Sequence, residues 1–198
     1  MREPLADIAA TALRLGRRTA SGPVDVADVW IDGALGFVLL LHRRHDGLPA
    51  EELYHSLRDE AGAWNRPDHL GGGIVGLELS DRSAVEEALA GAPMAVVAES
   101  ESLVHTGRGP SGGQDEAEPE LVHVWELLVT GEAELIEIEH LPQVPAPAPP
   151  PSRTREVTGP LTLVALLPGE RVRVHALRRE GASHLRLDGA LDLHNPGE

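Results

Sequence analysis

The chain has 198 residues, 41% of them hydrophobic, 25% charged and only 3% aromatic, so it should fold around a core built mainly of Leu, Val and Ala. It contains no Cys and all 17 of its basic residues are Arg, which excludes disulfides, thiolate metal centres, a Cys nucleophile, a P-loop lysine and a pyridoxal-phosphate anchor. A net charge of −15 argues against a nucleic-acid backbone as partner, because counterion release needs a clustered positive surface.

Lys, Phe, Tyr and Asn are scarce together while Gly, Ala, Arg and Pro are abundant, the composition of a GC-rich, bacterial genome. No run approaches the ~18 apolar residues of a membrane span, and the first residues do not lead into a secretory h-region, so the expected setting is cytoplasmic, away from membranes.

In chain order, Pro4 opens a helix in which Leu5, Ile8, Ala9, Ala12 and Leu13 recur with helical period, and Gly16 with Arg17 and Arg18 stops it. Residues 24–31 and 34–41 flank Asp32-Gly33, the dipeptide of a tight hairpin, and the second run is apolar on both faces, as in the middle of a sheet. Pro49 opens a second expected helix with Leu53, Leu57, Ala61 and Trp64 on one stripe, followed by a loop over 65–73 and a strand over 74–79. Ser83 and Glu86 form a capping box before a helix over 84–90 that Gly91 ends, and 93–98 reads as a buried strand. Strand, helix and strand here predict a parallel crossover.

Residues 107–120 read as a mobile acidic loop, and 121–129 with 133–140 as a hairpin around Thr130-Gly131. Residues 141–160 hold seven prolines and read as a semi-rigid linker. Beyond it comes a meander: strands over 161–167, 171–177, 184–187 and 190–193, with turns at Pro168-Gly169, Glu180-Gly181 and Asp188-Gly189. The expected fold is therefore α+β: a body over 1–140 with a mixed sheet of about six strands and two or three covering helices, the linker, and a small all-β antiparallel meander over 161–194. Residues 1–152 carry a charge of −16 and residues 153–198 a charge of +1. A segment of ~35 residues rarely buries enough apolar area to stand alone, so the meander must dock on the body, a second copy or a partner.

Three motifs bear on chemistry. Gly71, Gly73 and Gly76 satisfy G-x-G-x-x-G, but no strand precedes them and no helix follows, so they read as a glycine turn. Gly109, Ser111 and Gly113 satisfy G-x-S-x-G in the least structured stretch, where a nucleophile elbow has no support. His42 and His45 at the end of the most buried strand, with Asp68 and His69, are a candidate metal or acid–base centre, because neutral imidazoles and carboxylates suit Zn²⁺. Trp30, Trp64 and Trp125 are expected as core or sheet-flank anchors. In the meander, Val172, Val174, Ala176, Leu185 and Leu187 should face one way and Arg171, Arg173, His175, His184 and Arg186 the other, giving a surface for acidic groups.

The leading expectation is a non-enzymatic interaction or regulatory protein, without cofactor, whose meander docks on the body, on a second copy or on a protein partner and presents this Arg/His face. The alternatives are a small His/Asp-centred, metal-assisted enzyme at His42, His45, Asp68 and His69, and a structural subunit of a bacterial assembly.

Overall fold

In the computed structural model, which describes residues 2–18, 20–106, 118–142 and 151–197, the chain is α+β. Among the described residues there are two helices and sheets of five, three and four strands. The chain forms two compact units, Met1–Glu78 with Ser100–Leu121, and Leu79–Glu99 with Val122–Glu198.

In the first unit, α1 (Arg2–Leu15) buries the expected stripe. Leu5, Ala6, Ala9, Ala12 and Leu13 pack on Val24, Val26, Val38, Leu40 and Tyr54 of the sheet. Gly16 ends the helix at φ +62°, with its N–H on the carbonyl of Ala12 at 2.9 Å. The sheet is antiparallel in the order β1 (Ala20–Ser21), β2 (Val24–Asp32), β3 (Leu35–Arg43), β4 (Pro49–Leu57), β5 (Asp68–Ile74). The Asp32-Gly33 turn forms as expected, with Gly33 at φ +59° and Asp32 opposite Leu35. Phe37, Val38, Leu39 and Leu40 of the central β3 are all at 0% exposure.

The expected second helix is a strand instead. β4 pairs with β3 without interruption from Arg43↔Pro49 to Leu35↔Leu57. A spacing of four fits one helix face and one strand face equally, so Leu53 and Leu57 do not discriminate. Ala61 is exposed, and Trp64 lies on an isolated bridge to Arg58, beneath that guanidinium at 4.6 Å. The expected loop over 65–73 is largely β5, and the expected strand over 74–79 is only its last residue and the chain beyond. Gly71 and Gly73 therefore lie within a strand, not in the expected glycine turn.

α2 (Arg82–Leu89) is capped by Asp81, whose Oδ1 accepts from Ser83 N at 2.9 Å and Ala84 N at 3.4 Å, so the cap lies two residues before the expected Ser83. The strand β6 (Met94–Val104) belongs to a sheet of order β10-β7-β6, not to that of β5, so the parallel crossover does not form. Val96 and Val97 are 43% and 49% exposed, against the expectation of a buried strand.

β7 (Glu120–Val129) and β8 (Leu135–His140) flank Thr130-Gly131, but they part into different sheets rather than pairing as a hairpin. β7 pairs with β10 (Leu161–Leu166), and β8 lies between β9 (Ser152–Glu156) and β11 (Arg171–Glu180), with β12 (Ser183–His194) outermost. The meander is thus divided: β10 joins one sheet, β11 and β12 another, and the last two expected strands are continuous through Asp188-Gly189. Ser152–Glu156, inside the expected linker, is a strand. Residues 143–150 of that linker lie outside the described residues, as do 107–117 of the acidic loop with Gly109, Ser111 and Gly113. Trp30 and Trp125 are buried and Trp64 is half-buried.

Candidate functional site

Three strands of the first unit bring two of the four expected metal-site residues together on a carboxylate. Leu40 and His42 of β3 share a sheet face with Ala50, Glu52 and Tyr54 of β4, through the pairs Leu40↔Glu52 and His42↔Ala50. Opposite Glu52 on β5 stands Gly72, where a Cβ would lie 2.6 Å from Glu52 Oε2, so only glycine leaves the carboxylate room to reach that strand. There Oε2 meets His69 Nε2 in a short hydrogen bond, while Oε1 is 3.6 Å from His42 Nε2. The His42 side chain is only 7% exposed, and among the described residues its Nε2 finds no hydrogen-bond partner. His69 is fixed edge-on against Tyr54, the ring centroids 5.2 Å apart.

His45 and Asp68 do not join this group. Both are exposed, His45 in the turn after β3 and Asp68 opposite His55. Burial pushes the His55 pKa down, and the Asp68 charge partly opposes it. Glu52 escaped sequence reasoning because a helical reading of 49–64 turns it away from both histidines; reading the same run as a strand would have placed it opposite Leu40.

A second group lies on the three-stranded sheet. Glu99 and Glu101, two apart on β6 and hence on one face, and His123 of β7 present ligand atoms that all lie within 4.8 Å of one another. His123 is buried, at 7% side-chain exposure, with Nδ1 3.4 Å from Glu99 Oε1, and its ring packs 5.5 Å from that of Trp125. The two glutamates are exposed. One imidazole and two carboxylates form a His/Glu cluster capable of coordinating a metal ion. The signal in the sequence was the Glu-x-Glu spacing at strand period, with a His on a neighbouring apolar strand.

Three of the five basic residues of the meander, Arg173, His175 and Arg186, stand against acids of neighbouring strands. Arg173 holds Asp192 of β12 in a two-pronged contact at 2.7 and 3.0 Å, and Arg186 donates to Glu137 of β8 at 2.8 Å. His175 lies 3.6 Å from Glu139 of β8. The Arg186 hydrogen bond holds the Glu137 carboxyl below its ordinary pKa, and the Arg173 hydrogen bond does the same for Asp192. Arg171 and His184 are exposed. A bulge between His175 and Leu177 interrupts the expected alternation: Val172, Val174 and Ala176 are at 0% exposure, whereas Leu185 is 44% exposed.

Among the described residues no helix is long and apolar enough to cross a membrane. No family model, no curated protein and no solved structure matches the chain.

Proposed function

We propose that the protein binds a divalent transition-metal ion through Glu99, Glu101 and His123. The observation that carries this reading is the approach of three ligand atoms within 4.8 Å, contributed by two carboxylates and an imidazole. That donor set suits Zn²⁺ or Mn²⁺, and three protein ligands leave a position for water or substrate, as metal-assisted hydrolysis requires. The Arg/His face supports an acidic partner less well, because such a partner would compete with Glu137, Glu139 and Asp192 for the same cations.

Metal analysis and titration calorimetry of the purified protein with Zn²⁺ test the reading. One equivalent should bind, and Glu101→Gln and His123→Ala should each abolish it with an unchanged circular dichroism spectrum. Binding that survives both but is lost in His42→Ala would move the ion to His42, Glu52 and His69, where a buried imidazole nitrogen already faces a carboxylate.

A further inference from the structure

The second unit holds a cavity of about 270 Å³ between α2, the β7–β8 turn and the segment before β10. Its walls are apolar, from Val85, Val129, Ala133, Val157 and Pro160, and the first three of these are buried. Two opposite charges, Arg82 and Glu86, stand in it one helical turn apart. That spacing puts them within reach of an ion pair on the helix surface, yet among the described residues they do not pair.

Glu86 is held elsewhere. Its Oε1 accepts from Thr130 Oγ1 at 3.0 Å and from Gly131 N at 3.1 Å, and its Oε2 from Thr130 Oγ1 at 3.2 Å. Those neutral donors fix the carboxylate without cancelling its charge. The Arg82 side chain rests on the same turn, since a Cβ at Gly131 would lie 3.4 Å from its Nε. Among the described residues Arg82 makes no ion pair or hydrogen bond. A cation and an anion therefore both lie against Gly131 without pairing with each other, beside an apolar hollow.

We infer that this cavity binds a small zwitterion with an apolar side chain, an α-amino acid of the size of valine or leucine. The ligand carboxylate meets the Arg82 guanidinium, its ammonium meets Glu86, and its side chain fills the space against Val129 and Val157. Pockets for drug-sized ligands span about 300–1,000 Å³, so a cavity this small selects a compact metabolite. Thr130 and Gly131 act as positioning groups that aim Glu86.

Calorimetry on the full chain in EDTA, so that chelation of an ion contributes no heat, tests the assignment with three probes: L-leucine, isoamylamine and 4-methylpentanoate. One equivalent of leucine should bind, and each probe lacking one charge should bind about tenfold more weakly or worse, the worth of a charge-assisted hydrogen bond. Arg82→Gln, at an exposed position, should erase the preference for leucine over isoamylamine. Glu86→Gln, which keeps an acceptor for Gly131, should erase the preference over 4-methylpentanoate. The inference is overturned if leucine does not bind at millimolar concentration, if all three probes bind alike, or if leucine binds Arg82→Gln unchanged.

Discussion

Ala90 closes α2 in the left-handed region, at φ +49° and ψ +35°, with its N–H on the carbonyl of Glu87. An L side chain there crowds the following carbonyl at a cost of about 1–2 kcal/mol, part of which glycine returns as unfolded-chain entropy. Ala90→Gly should therefore stabilise the protein by about 0.5–1 kcal/mol, read as a higher urea midpoint at unchanged slope. His55 contributes a pH dependence of fixed sign. Because burial lowers its folded-state pKa below the usual 6.5, the unfolded chain takes up the proton first as pH falls. The stability it contributes is present above pH ~6.5 and declines as pH drops toward the depressed value. His55→Gln should flatten the dependence of the urea midpoint on pH between about 7.5 and 5.5; an unchanged slope would show that His55 is not the group responsible.

At the scale of elements, the close approach of α1 to the sheet depends on a residue without a side chain. A Cβ at Gly36 of β3 would lie 2.5 Å from Leu13 Cδ2 and 2.9 Å from Trp64 Cη2, so helix and indole occupy the space that a side chain would need. Gly36→Val should cost about 1–3 kcal/mol by overpacking, measured by denaturant unfolding, although valine is the better strand former. The same sheet shows what was legible from sequence and what was not. α1 and the β2–β3 hairpin were legible because periodicity, turn chemistry and stop signals agree within each segment. β4 was not, since Pro49 fits a strand start as well as a helix start and Leu53 and Leu57 satisfy both periods. With β4 misread, Glu52 was lost, and only half of the His42, His45, Asp68 and His69 group converges on it. Likewise, Asp81 competed with Ser83 as helix cap, and the side chain of Glu86 was drawn to Thr130 and Gly131 instead of back along its own helix.

At the scale of the whole chain, strand order brings acids from one side of the Pro-rich segment to basic residues on the other. The acids that answer Arg186 and His175 come from β8, which lies on the other side of the Pro-rich segment, and no local pattern predicts that β8 inserts between β9 and β11. The Arg186–Glu137 pair stabilises above the ordinary carboxylate range, because Glu137 is held below it, and loses that stability as pH falls through that range and the lowered value. A Glu137→Gln, Arg186→Gln double-mutant cycle should give a coupling of about 0.5–1 kcal/mol at neutral pH, the scale of part-exposed ion pairs, shrinking in 1 M salt. The larger consequence concerns separability. Val172, Val174 and Ala176 are at 0% exposure, and the backbone of β11 is bonded to β8 along one edge while β10 depends on β7. A peptide of residues 153–198 keeps the β11–β12 hairpin but loses both neighbours, and a lone hairpin is marginal in water. It should show no cooperative thermal transition by circular dichroism. Added to a separately produced fragment of residues 1–152, it should regain strand signal at one-to-one stoichiometry, because the missing neighbours are then supplied. A sharp transition in the peptide alone would mean that β11 and β12 need neither β8 nor β7, and that the four-stranded sheet is an association of parts already folded.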